Sequence, residues 1–176
     1  VPFGDFRLYD PRYKKMKLKV HDYFIRKSMD LLRPGGILAV VTSKGTLDKN
    51  DSTVRKNLAE QADLLGAVRL PADSFGKSAN TAVTSDLLFF QKKAEPLMGE
   101  PIWTYTGLTE DMVPVNEYYL EHPEMMLGKM VWFEQFFGKD SKYTALVNNA
   151  EDFDLEKGIL DAVGELPQNC YEESIA

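Results

Sequence analysis

The 176-residue chain holds 21 Lys and Arg against 27 Asp and Glu, a net charge of -6, and 44% of its residues are apolar. That is room for one ordinary domain, or one and a half small ones, around a real core. No apolar run approaches the length of a bilayer span, no charged-then-apolar leader opens the chain, and a single cysteine, Cys170, excludes an internal disulfide or a multi-cysteine metal site; a soluble cytoplasmic protein without membrane contact is expected.

The net charge hides an asymmetry. Residues 1–93 carry 17 Lys and Arg against 10 Asp and Glu, whereas residues 94–176 carry 4 against 17. The first part can meet a polyanion such as DNA, and the second is unsuited to one. Asp10-Pro11 signals a turn, followed by Arg12, Lys14, Lys15, Lys17 and Lys19 interleaved with Tyr13, Met16 and Leu18. Basic residues with an aromatic between them can follow a phosphate backbone and stack on a base, although a solvated loop entering a helix has the same composition.

From Lys19 to Arg33 the rows Val20, Phe24, Leu31 and Ile25, Met29, Leu32 predict an amphipathic helix with one broad buried stripe. Pro34-Gly35-Gly36 stops it, and the apolar run Ile37 to Val41 predicts a strand covered on both faces, as in a parallel sheet reached by a crossover helix. Thr42-Ser43-Lys44-Gly45 follows, at the strand end where α/β folds bind ligands. Ser43 and Lys44 have no nucleophile elbow around them, so a catalytic pair is not expected there. Asp48, Asn50, Asp51 and Ser52 suit the start of a helix running to about Leu65 with Val54, Leu58, Ala62 and Leu65 on one face and Gly66 ending it. Asn50-Asp51-Ser52 also matches a glycosylation acceptor, which has no use in a cytoplasmic chain.

Ala67 to Leu70 and Thr81 to Gln91 predict two strands with no helix between them, hence an antiparallel pair. Beyond Lys92-Lys93 the composition changes. Ile102 to Tyr105 predicts a further strand, residues 114–130 an irregular aromatic and Met-rich region, and Val131 to Phe137 with Tyr143 to Val147 a hairpin. Leu155, Ile159, Val163 and Leu166 predict an amphipathic helix over Asp154 to Leu166, with Pro167 just past its end. His21 and His122 lack metal-ligand spacing, and Met125, Met126, Met130, Trp132, Phe133, Phe136 and Phe137 suit a core or a domain contact better than a ligand box.

Taken in order, Val1-Pro2-Phe3-Gly4, the Pro-Gly-Gly strand, Val68-Arg69-Leu70-Pro71, Ser74-Phe75 and Thr81 to Phe90 resemble the second half of a class I S-adenosylmethionine-dependent DNA methyltransferase acting on exocyclic amino groups, chiefly N6 of adenine. The opening tetrapeptide is similar to the tail of the family's Asn/Asp-Pro-Pro-aromatic motif in the variant Asn-Val-Pro-Phe-Gly. The stretch from Val115 through Trp132 is also similar to one found after the methylase in large methylase–helicase proteins of plasmids and conjugative elements. The resemblance implies an α/β fold: a partial Rossmann-like sheet with an antiparallel closing hairpin over residues 1–93, then a small α+β extension over 94–176.

The family's chemistry sets the expected roles. Acceptors binding both hydrogens of the target amino group free its lone pair to attack a sulfonium methyl group in line. One acceptor is the Asn or Asp that would precede Val1, and the other is the backbone carbonyl of Val1. Pro2 would stiffen the turn, Phe3 would stack on the extruded base, and Gly4 would let the backbone pass close to it. No Gly-x-Gly occurs in the sequence, so the S-adenosylmethionine loop is expected in a missing amino-terminal half, and this chain alone is expected to be inactive. A helicase domain in the same polypeptide and self-association through an exposed sheet edge are further expectations. Two other readings stay open: a structural or interaction module docking within a larger DNA-processing protein, and half of a methyltransferase for small molecules or proteins.

Overall fold

The computed structural model describes residues 1–2, 8–74, 83–132 and 143–171. Phe3, Gly4, Phe75, the first residues of the Thr81 strand, and Phe133 to Phe137 therefore lie outside the described residues.

Helix α1, Val20–Leu31, starts where Lys19 is still extended and ends before Pro34, with Gly35 in the left-handed region at φ +74°. That turn fits only a residue without Cβ, and it lets the Gly35 N–H donate to Lys92 O at 2.8 Å, tying the end of α1 to the sheet. The buried face of α1 is Val20, His21, Asp22, Tyr23, Ile25 and Met29, while Leu31, expected in the stripe, is 77% exposed.

Strand β1, Ile37–Ser43, leads directly into a one-turn helix α2, Gly45–Asp48, and then α3, Thr53–Gln61. Helix α3 stops four residues short of the expected Leu65. Ala62 instead opens strand β2, Ala62–Leu70, because its backbone pairs with β3, Ser85–Lys92, in the register Ala62–Lys92 and Leu70–Ser85. A register irregularity between Leu64 and Gly66 takes up the extra residue, as a β-bulge does. A Cβ at Gly66 would collide with Leu166, so the bulge also makes room for the far end of the chain.

The main sheet has the order β1-β3-β2, with β3 antiparallel to both neighbours, from Ile37–Gln91 to Ser43–Ser85 on the β1 side. The strands at 37–41 and 85–91 thus lie side by side, and the expected antiparallel closing hairpin is β2 with β3. The expectation of a strand covered on both faces needs correcting. Strand β1 is mostly half-buried and Ala39 is exposed, because among the described residues only β3 pairs with it. No parallel pair of strands occurs among the described strands, although β1 and β2 run the same way with β3 between them.

The second part adds two small antiparallel sheets. Ile102 to Thr104 forms a single 3-10 turn rather than a strand, and the strand that follows is β4, Thr106–Leu108, paired with β5, Pro114–Asn116. Helix α4, Glu117–Glu121, starts on Asn116, whose side chain accepts the Tyr118 N–H. The expected hairpin is β6, Lys129–Trp132, against β7, Thr144–Val147. Helix α5, Leu155–Gly164, is capped by the Asp154 carboxylate, which accepts the Lys157 N–H.

The two compositional parts share one hydrophobic core. Ile25, Met29, Leu58, Val68, Leu88 and Phe90 from the first pack with Trp103, Tyr118, Tyr119, Met125 and Ala162 from the second, and the Phe90 and Trp103 rings meet edge-on at 5.7 Å. No helix among the described residues is long and apolar enough to cross a membrane.

A Cβ at Gly128 would run into the backbone carbonyl of Val147, which cannot swing aside as a side chain can. Gly128→Ala should therefore destabilise the fold by about 1–3 kcal/mol in urea unfolding. Gly99→Ala, with nothing near the new methyl, should stay within about 0.5 kcal/mol of the wild type.

Candidate functional site

The carboxyl ends of β1 and β2 and the amino end of β3 meet where Ser43 and Leu70 both pair with Ser85. Val1 reaches this end: its amino group donates to Val41 O at 2.9 Å, laying the first residue along the open edge of β1. Val1 is half-buried against the core and Pro2 is exposed.

Around this end the chain is held by backbone and side-chain hydrogen bonds. The Lys44 N–H donates to Thr84 O at 3.1 Å, and Ala72 N–H to Leu146 O at 2.9 Å. The Thr84 hydroxyl accepts the Leu146 N–H at 2.8 Å. The Lys44 ammonium crosses to the Thr144 hydroxyl at 2.8 Å and sits 5.6 Å from the centre of the Tyr143 ring. Burial pulls the Lys44 ammonium below its usual pKa, and the charge of Asp48 works against that fall. Ser43 and Lys44, which sequence pattern gave no catalytic role, are thus engaged with β3 and β7.

Beneath this end lies a cluster that sequence reasoning missed. Arg69, on β2, is fully buried. Its Nε and Nη2 each donate to one oxygen of Asp86 at 2.8 Å, and its Nη1 and Nη2 to the two oxygens of Asp48 at 2.7 and 2.9 Å. The guanidinium stacks 4.3 Å from the centre of the buried Tyr119 ring. Burial opposes a charge here, but two carboxylates overcome it and hold Arg69 well above its ordinary pKa. Burial raises the Asp86 carboxyl and the Arg69 contacts pull it back; the paired N–H donors fit an ionised carboxylate, with both oxygens accepting. Asp48 also accepts the Asn116 N–H at 2.9 Å. The Asn116 amide in turn donates to Leu47 O and Trp103 O at 2.9 and 2.8 Å. The available signal was an Arg inside the apolar run Ala67-Val68-Arg69-Leu70 and an Asp at the head of the next strand. A lone charge in either place would be prohibitive, so each implies the other.

The five basic residues of the first segment are all exposed but are not gathered in one place. Arg12 pairs with Asp30 at 3.3 Å and lies beside Gln61, Lys92 and Lys93, at the end of the sheet opposite Val1. Lys14 and Lys17 line a cavity of about 210 Å³ with Tyr9, Tyr13 and Tyr23, and the Lys14 ammonium lies 5.5 Å from the centre of the Tyr9 ring. Lys15 shares a single 3-10 turn with Lys14, and Lys19 precedes α1. The segment is moored to α1 by Tyr13, whose hydroxyl donates to Asp30 at 2.7 Å, and by Asp10, which accepts from the Tyr23 hydroxyl at 2.9 Å and from Lys27 at 3.2 Å.

The family model for N-6 DNA methylase matches residues 5–154. The chain belongs to the N-6 DNA methylase family. The match runs past Lys93, where the resemblance carried by the opening motifs ends, and takes in β4 to β7. The chain is also 28% identical over 144 residues to the Defense against restriction protein B of Escherichia phage P1, an alignment that covers 77% of this chain and 6% of that protein. The chain thus spans only a small part of that relative's length. No solved structure matches it. In this chain the Arg69 cluster joins β2 and β3 to α2 and, through Asn116, to β5.

Replacing Arg69 by Met leaves Asp48 and Asp86 buried without their counter-charge. Arg69→Met should cost about 3–5 kcal/mol of stability, read as a fall in the denaturant midpoint.

Proposed function

We propose that this chain is the carboxyl-side part of a methylase domain that, in its whole protein, transfers a methyl group from S-adenosylmethionine to the exocyclic amino group of an extruded DNA base, chiefly N6 of adenine. The observation that carries the reading is the position of Val1. Its nitrogen is bonded to Val41 O along the open edge of β1, at the strand end where α/β sheets bind ligands. In a longer polypeptide that nitrogen is an ordinary backbone N–H, and the same bond would begin a strand beside β1. The family membership supports the reaction class.

In this reading the Val1 carbonyl accepts one hydrogen of the target amino group, and the side chain preceding Val1 accepts the other. Pro2 stiffens the turn, Gly4 admits the base, and Phe3 stacks on it. Stacking returns roughly 1–3 kcal/mol against an extrusion cost of a few. Lys14, Lys15, Lys17 and Lys19, with Arg12, meet the phosphate backbone.

The residues here do not suit S-adenosylmethionine itself. The sequence has no Gly-x-Gly turn, and Asp48 and Asp86, acidic groups of the kind that hold a ribose hydroxyl, are both taken by Arg69. The cofactor site therefore belongs to an amino-terminal half that would precede Val1, and no step of the transfer is assigned to this chain beyond holding the base. A role as an interaction module inside a larger DNA-processing protein, with a helicase domain in the same polypeptide, is compatible with the small share of the phage P1 protein that the chain covers.

Calorimetric titration of the isolated chain with S-adenosylmethionine should give no binding heat; micromolar affinity would prove the assignment of the cofactor site wrong. A fluorescently labelled single strand should bind the chain with an affinity that falls steeply with salt. Replacing Lys14, Lys15 and Lys17 together by Gln should lower the log–log salt slope by about 0.7 for each phosphate no longer neutralised. Affinity indifferent to salt would remove the basic segment from the interface.

A further inference from the structure

Lys44 and the β6–β7 hairpin raise a question that the base-holding motif leaves unanswered. Lys44 is the first residue after β1, close behind the Val41 carbonyl that anchors Val1. Its side chain is stretched to Thr144, and among the described residues no carboxylate lies within ion-pair distance of it. An ammonium carries three protons, and Thr144 takes one. A partly desolvated cation whose neighbouring carboxylates, Asp48 and Asp86, are both bonded to Arg69 suits an anion supplied from outside.

Trp132 is the cross-strand partner of Thr144 in the β6–β7 register. Directly opposed residues project from the same face of an antiparallel pair, so Trp132 leaves the hairpin on the face that carries the Thr144 hydroxyl that Lys44 reaches. Thr144 is buried, but Trp132 is 41% exposed, whereas Trp103, the chain's other tryptophan, is 5% exposed. A large aromatic left open near a cation that has no ion-pair partner among the described residues is a nucleotide-shaped pair of contacts: the base has a face for the indole, and the phosphate has a charge for the ammonium.

We propose that Trp132 and Lys44 hold one nucleotide of the substrate strand flanking the extruded base, with Trp132 stacking on its base and Lys44 meeting its phosphate. The site rests on the DNA reading of the Val1 end. It gives the acidic carboxyl-side part a role in substrate binding. The stack tolerates any base, because every base has a π-face, so the contact sets position along the strand rather than sequence.

The test uses the 176-residue chain and a labelled single-stranded oligonucleotide, followed both by label anisotropy and by intrinsic tryptophan emission. The oligonucleotide should quench the wild-type emission, and Trp132→Phe, which leaves Trp103 alone, should abolish the quenching while the anisotropy change persists. Trp132→Ala should weaken binding about tenfold. Lys44→Met should lower the log–log salt slope by about 0.7. These readouts do not move if Trp132 and Lys44 only brace the hairpin, and unchanged thermal melting of Trp132→Phe confirms that it is folded. Quenching that survives in Trp132→Phe, or an unchanged affinity in Trp132→Ala, overturns the nucleotide site and leaves DNA binding by the rest of the chain standing. Absence of any anisotropy change at low salt overturns both readings together.

Discussion

Everything at the carboxyl end of the main sheet depends on the buried guanidinium of Arg69. Desolvating one guanidinium and two carboxylates is expensive, and only good geometry offsets it. Here four N–H···O bonds of 2.7 to 2.9 Å use both oxygens of both partners. The three residues come from different elements: Arg69 from β2, Asp86 from β3 and Asp48 from α2. Take away the arginine and two carboxylates face each other in the core, so these elements hold their places together or not at all. Asn116 extends the tie into the second part of the chain through Asp48, Leu47 and Trp103. A fold that a one-turn helix such as α2 could not hold by its own hydrogen bonds is thereby fixed, and with it Lys44, the residue before α2.

That arrangement explains which parts of the molecule were legible in the sequence. Helices α1 and α5 and strands β1 and β3 carry strong periodicity or continuous apolar runs bounded by Pro and Gly, and they appear within a few residues of their expected limits. The departure at Ala62 to Leu65 has a local cause. Ala62 and Leu65 continue the helical row of Val54 and Leu58, so periodicity alone favours helix, whereas pairing of Ala62, Asp63 and Leu64 with β3 supplies the backbone bonds that decide the matter. Helix α4 and strands β4 and β5 are three to five residues long, too short for any period to show. Leu31 escaped burial because α1 turns away at Leu32 toward Gly35, which apolar spacing alone does not reveal.

The site divides in the same way. The order of the opening motifs pointed to the family, but motif order says nothing of how charges are matched in space. Arg69 stands inside the Val68-Arg69-Leu70-Pro71 motif without its role being visible there, since a bidentate partner 17 residues away in sequence is a fact of strand register. Lys44 reads along the chain only as the neighbour of Ser43. The group it actually meets, Thr144, is 100 residues distant, and only the fold brings them together.

The charge asymmetry also takes on a different meaning once the core is seen to be shared. If the basic and acidic parts were separate bodies, a polyanion could simply avoid the second. Packed on one core, they share a boundary, and the proposed nucleotide site lies on it, with Lys44 from the basic part and Trp132 from the acidic part. At the start of β6, Lys129 pairs with Asp111 at 2.7 Å. The other end of the same strand carries Trp132, next to Thr144 and hence to a lysine contributed by the basic part. Strand β6 therefore runs from the acidic region toward the carboxyl end of β1, where Lys44 follows. On the proposed reading, a nucleotide at that corner meets a cation from the basic part and an aromatic from the acidic part. The composition of the second part, read alone, is unsuited to a polyanion; the proposed site takes from that part an aromatic and a hydroxyl and no carboxylate.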